Sequence, residues 1–144
     1  CGTHVYIVSG ATGGFDILQT ATLMGGATAR FFNEKGPNAL RNTDVYDDSL
    51  QKKSKVVFEG TAREAIAAFP TKVNVTVAAS RASVGPGDVH VKIKSTPGFV
   101  GDTQKVQIRN RQVCATVDIY SETSEIAGWS IVAVLRNIMS PIVF

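Results

Sequence analysis

Reactive and metal-binding residues are scarce in this chain of 144 residues, which has two histidines and two cysteines. Cys1 and Cys114 lie far apart and have neither zinc nor redox spacing. Cys114 falls within an alternating apolar stretch and is expected to be a small core residue in a reducing, cytoplasmic protein. His4 precedes an apolar run and His90 falls on the polar side of another, so neither has an evident partner to make it a base. No Asp/Glu/His grouping has metal-ligand spacing, and no metal is expected. Long hydrophobic runs are missing too. The most apolar stretch, Ile131 to Leu135, is far too short to span a bilayer, so no membrane partner is expected. The opening Cys1-Gly2-Thr3-His4 has no initiator Met and no signal-peptide pattern, which predicts that the chain begins inside a longer protein.

Positive charge is in excess, at +3, but it is dispersed. Lys52, Lys53 and Lys55 form one group, Arg109 and Arg111 another, and no aromatic residues interleave with them. A nucleic-acid partner would require a denser basic stripe and is not expected. Hydrophobic residues make up 44% and charged residues 19%, a balance that favours one folded domain with a core over a disordered chain.

Periodicity then predicts the elements. His4 to Val8 reads as a short buried strand, followed by the glycine-rich turn Ser9 to Gly14. Phe15 to Met24 carries a helical apolar face closed by Gly25-Gly26. Ala27 to Phe32 reads as a strand, Asn33 to Ser49 as a polar surface loop, and Lys55 to Phe58 as a strand. Thr61-Ala62-Arg63-Glu64 is a capping box, starting a helix that Pro70 stops. Val73, Val75 and Val77 alternate with polar residues and predict a half-buried strand. After the turn Gly85 to Asp88, the stretches from Val89 to Ile93, Lys105 to Ile108 and Val113 to Ile119 read as antiparallel strands with one wet face. Glu125 to Met139 predicts a helix apolar on most sides, buried in this chain or against another domain, with Glu122 and Glu125 suited to its N-terminal dipole. The expected fold class is α/β, an α+β mixed sheet with helices on one face.

A strand, a glycine-rich turn and a helix can hold a phosphate on helix N-terminal amides. Here the dinucleotide-binding pattern fails. The first glycine of GxGxxG would fall on Val8, and no acidic residue closes the next strand, where Ala29-Arg30-Phe31-Phe32 stands. The Tyr-x-x-x-Lys pair of short-chain reductases is absent as well, since Gly10, Leu50 and Ser124 follow Tyr6, Tyr46 and Tyr120 by four residues.

Three stretches nevertheless resemble the L-aspartate dehydrogenase family. Ser9-Gly10-Ala11-Thr12-Gly13-Gly14-Phe15-Asp16 is similar to its Ser-Gly-Ala-x-x-Gly-(apolar)-Asp turn. Phe58-Glu59-Gly60-Thr61-Ala62-Arg63-Glu64-Ala65, with Phe69-Pro70 and Val73-Asn74-Val75, is the most specific match. Lys35, Pro37, Ala39 and Leu40 resemble its Lys-Pro-Pro-x-x-Leu loop.

The resemblance implies that residues 1–144 form a single C-terminal, substrate-side domain of the glyceraldehyde-3-phosphate-dehydrogenase-like type, with the N-terminal Rossmann domain absent from this chain. It also implies oxidation of an amino acid or related dicarboxylate with NAD or NADP, and a homo-oligomer. Carried over by position, Ala11 and Asn74 would contact the cofactor, with Ser9 and Gly10 shaping the turn beside it. The family's catalytic histidine, in an Asn-x-His segment, is replaced: Asp102-Thr103-Gln104 stands there, so Gln104 takes the catalytic position and Asp102 is the nearest candidate base. Its Asn-Pro-Lys-Thr-Ser segment is shortened to Ser121-Glu122-Thr123-Ser124, which predicts that the basic residue able to hold a substrate carboxylate is missing. Two readings stay open: a dehydrogenase, and a divergent non-catalytic member serving as a binding, regulatory or oligomerisation domain.

Overall fold

Successive side chains of a strand point to opposite faces, so an alternating sequence builds a two-faced sheet. The computed structural model describes residues 2–143. It joins β1 (Thr28–Lys35), β2 (Lys55–Thr61), β3 (Val89–Ser95), β4 (Asp102–Arg109) and β5 (Cys114–Ser121) in one sheet of order β2-β3-β1-β4-β5. β1 and β3 are parallel, and the other neighbouring pairs are antiparallel. Parallel neighbours require a long crossover. Here it carries β2 and two helices, α2 (Ala62–Ala68) and α3 (Asn74–Arg81).

On the inner face Ala29, Phe31, Val89, Val91, Ile93, Val106 and Ile108 are all buried. They form one core with Leu18 and Ala21 of α1 (Phe15–Leu23), Ala62 and Ala65 of α2, and Ala79 of α3. Full burial stabilises a Val- or Ile-sized side chain by about 1.5–3 kcal/mol, so this face dominates the fold's stability. The outer face is wet and charged. Lys92 pairs with Glu59 at 3.2 Å and Lys105 with Asp118 at 2.6 Å. Such half-exposed pairs contribute little to stability.

The expected mixed α/β class is the one observed. The capping box also forms: the Thr61 hydroxyl accepts from the Glu64 amide at 3.2 Å, and the Glu64 carboxylate accepts from the Thr61 amide at 2.7 Å. That amide, then the Thr61 hydroxyl, hold the Glu64 carboxyl below the usual range. Helix α4 (Glu125–Met139) spans the expected residues.

Other expectations are corrected. Val73 to Ala79 is not a strand but the entry to α3 and most of that helix. The valine alternation imitated a two-residue period, whereas the most deeply buried positions, Val73, Thr76, Ala79 and Ser80, follow the helical one. His4 to Val8 is not a buried strand; Val5, Tyr6 and Ile7 are exposed, and β2 and β5, at the two sheet edges, take no further strand. Asn33 to Ser49 is not wholly a surface loop. Asn33 to Lys35 complete β1 with Asn33 and Lys35 buried, and Leu40 is buried in a 3-10 turn, Pro37–Leu40. Cys114 is exposed rather than in the core, because β5 turns Ala115, Val117 and Ile119 inward and Cys114 outward. Of the two alternatives for α4, burial within this chain is removed, since none of its residues is buried and Trp129, Ile131, Val132 and Leu135 are exposed; the alternative of burial against another domain is unaffected. No helix among the described residues is long and apolar enough to cross a membrane.

Candidate active site

Strand register assembles the site. Asn33 lies opposite Gln104 and Lys35 opposite Asp102 in the antiparallel β1–β4 pair. Residues two apart share a face, so these four side chains continue the rows that begin with Ala29 and Phe31 in β1 and Val106 and Ile108 in β4. Toward one end of the inner face those rows change from apolar to polar. A cavity of about 320 Å³ opens there, lined by all four residues together with Ala11, Lys72 and Asn74 among others.

Within it the Asn33 amide donates to the Asp102 carboxylate at 3.0 Å and to the Thr103 carbonyl at 3.0 Å. The Lys35 ammonium lies 3.7 Å from the same Asp102 oxygen, with only 10% of its side chain exposed. Gln104 is 5% exposed, and its carboxamide oxygen has no hydrogen-bond partner. Ser95, paired with Lys35 across the parallel β1–β3 ladder, also has an unpartnered buried hydroxyl. Buried polar atoms are ordinarily bonded, so the Gln104 oxygen, an orphan at the cavity, marks a place where a ligand group can bind. On the opposite face Glu34 accepts from Lys94 at 2.8 Å and from Thr96 at 2.6 Å. The Lys94 bond, then the Thr96 bond, hold the Glu34 carboxyl below its usual range and fix the end of β1.

Of the residues singled out in the sequence, Asp102, Gln104, Ala11 and Asn74 line this one cavity. Asn74 begins α3 rather than lying in a strand. Ser9 and Gly10 do not line it. They form the adjacent turn, where the Ser9 carbonyl accepts from Thr12 at 3.3 Å and the Gly10 amide donates to Ser130 of α4 at 3.1 Å. The buried Thr12 hydroxyl in this turn has no partner. The Asn74 carboxamide, which lines the cavity, can both donate and accept, which fits the carboxamide edge of a nicotinamide.

Sequence reasoning did not single out Asn33 or Lys72, and named Lys35 only within the Lys-Pro-Pro-like loop. The segment Ser121 to Ser124 supplies no lysine, but Lys35 and Lys72, from other parts of the chain, both line the cavity. The signal was present as polar residues continuing the buried row of β1. Among the described residues no group of three or more His, Cys, Asp or Glu side chains could hold a metal ion.

Comparison with known proteins agrees with this architecture. The family model described as aspartate dehydrogenase, C-terminal, matches residues 16–138. L-aspartate dehydrogenase of Methanococcoides burtonii is 28% identical over 156 residues, covering 98% of this chain and 56% of the relative. L-aspartate dehydrogenase of Ralstonia pickettii is 32% identical over 109 residues, covering 74% and 41%. The crystal structure of aspartate dehydrogenase from Thermotoga maritima superposes with a TM-score of 0.80 at 30% identity, covering 98% of this chain and 56% of that one. The chain thus spans about half the length of the curated relatives it matches. By sequence and by fold, the chain belongs to the aspartate dehydrogenase C-terminal domain family.

Proposed function

We propose that this chain is the substrate-side part of an NAD(P)-dependent amino-acid dehydrogenase and works joined to an N-terminal dinucleotide-binding domain. The observation that carries this reading is the convergence of Asp102, Gln104, Ala11 and Asn74 on one cavity from β4, the glycine-rich turn and α3. Bound NAD(P) would supply the hydride acceptor. Asn74 would hold the carboxamide edge, with Ala11 packing beside it. Gln104 would orient the substrate amine through its free carboxamide oxygen. Asp102, fixed by Asn33, would accept the proton. The exposed apolar side of α4 supports contact with a further domain, and the open outer face of the sheet supports a homo-oligomer. An exposed thiol at Cys114 is compatible with a reducing cytoplasm.

A carboxamide has no titrating proton near neutrality, and losing a general base typically costs about 10²- to 10⁴-fold. This favours a second reading in which the site binds without turning over. The test is reduced-nicotinamide absorbance with NAD or NADP and L-aspartate, using the chain joined to its dinucleotide-binding domain, beside Gln104→His and Asp102→Asn. Wild-type turnover abolished by Asp102→Asn supports the dehydrogenase reading. Turnover gained only by Gln104→His points to a protein that has left aspartate chemistry. Cofactor binding with no turnover on any amino acid, by wild type or variant, removes the dehydrogenase reading.

A further inference from the structure

We infer that Lys35 is the residue that anchors a substrate carboxylate, and that Asp102 occupies this anchor until a ligand carboxylate displaces it. The inference rests on the dehydrogenase reading only for the identity of the substrate; the anchor itself is a property of the cavity.

A lysine ammonium is strongly hydrated, and burying it is costly unless it is paired. Lys35 is nevertheless nine-tenths buried as a side chain, at the polar end of the inner face. Its partner oxygen, on Asp102, lies 3.7 Å away, longer than the 2.7–2.9 Å typical of a charge-assisted hydrogen bond. The same oxygen is already bonded to Asn33 at 3.0 Å. Lys35 therefore retains donor capacity that Asp102 does not fill. Beside it, Ser95 and Gln104 each bury an oxygen without a partner. The cavity thus holds one under-bonded ammonium, spare acceptor capacity on Gln104 and a carboxylate whose Lys35-facing oxygen is shared with Asn33.

An α-amino acid matches that set group for group. Its carboxylate fits Lys35, and its ammonium fits Asp102 and Gln104. Binding exchanges one ion pair inside the protein for two with the ligand, and frees Asp102 to face the amine. Two lysines against one aspartate leave the cavity one positive charge in excess, which suits a ligand carrying a second carboxylate near Lys72.

The experiment is titration of this chain with succinate, L-aspartate and L-alanine, followed by calorimetry and backbone amide NMR. Asp102→Asn keeps the shape and still accepts from Asn33 but removes the competing charge. Wild type should bind succinate and L-aspartate more tightly than L-alanine, with shifts at Lys35, Thr103 and Gln104. Lys35→Met should weaken succinate by at least about tenfold, the loss of one charge-assisted hydrogen bond. Asp102→Asn should strengthen succinate by several fold, an effect that a purely structural ion pair would not produce. Because Asp102→Asn is nearly isosteric, it keeps the test open should Lys35→Met fail to fold. Unchanged succinate affinity in either variant, or no ligand-induced shifts at these residues, overturns the inference. Carboxylate binding that follows this pattern in a protein without turnover leaves the anchor standing and removes the dehydrogenase reading alone.

Discussion

Two glycines in the connection between β3 and β4 have similar backbone angles but opposite surroundings, and the difference sets the size of a stability effect. Gly98 has φ +71 and Gly101 has φ +79, both in the left-handed region. A Cβ on Gly98 meets nothing within 4 Å. One on Gly101 would fall inside contact distance of the Ser121 carbonyl oxygen and 2.9 Å from the Glu122 Cα, both backbone. Alanine in this region costs about 1–2 kcal/mol, partly offset by about 0.4–1 kcal/mol because alanine restricts the unfolded chain. Gly98→Ala should therefore destabilise by about 0.5–1.5 kcal/mol. Gly101→Ala adds the displacement of the β5 end, an overpacking cost of about 1–3 kcal/mol, for a total of roughly 2–4 kcal/mol. Urea unfolding followed by circular dichroism measures both, compared at equal slope. Loss of stability in Gly101→Ala equal to that in Gly98→Ala within about 0.5 kcal/mol would show that the backbone approach at Ser121 is not a real constraint. The site would be affected too, since Asp102 follows Gly101 directly and its carboxylate position depends on that turn.

Removing the cap of α2 with Thr61→Ala should cost about 1 kcal/mol in the same unfolding assay, and Thr61→Ser should recover most of it. A Glu34 carboxyl pKa lowered by Lys94 and Thr96 contributes stability that is present above the unfolded value and lost as pH falls through the folded one. Unfolding measured from pH 7 down through the acid range should show that loss in wild type, and Glu34→Gln should flatten the contribution; an unchanged acid profile in the variant would remove Glu34 as its source.

How far the sequence reached depended on whether a signal was local. The Thr61/Glu64 capping box closes within four residues, so residue types alone sufficed to place the start of α2. Helix α4 was equally readable, because its apolar residues persist over four turns. At α3 two local signals conflicted. The valines at 73, 75 and 77 have the period of a strand, yet a helix wins because it turns Val73, Thr76 and Ala79 together onto the core. The polarity of Asn33 and Lys35 suggested solvent, when in fact it marked the inward wall of a cavity.

The chain by itself determined the family resemblance, the mixed α/β class, the capping box and the wet face of the sheet, since each follows from residue types at short spacing. Tertiary structure alone decided that Lys35 meets Asp102 and Asn33 meets Gln104. Those pairs are separated by nearly half the chain, and they depend on the register of β1 against β4. A one-residue slip in that register would turn the whole set to the other face of the sheet. The cavity, its under-bonded lysine and its free carboxamide oxygen therefore belong to the packed sheet.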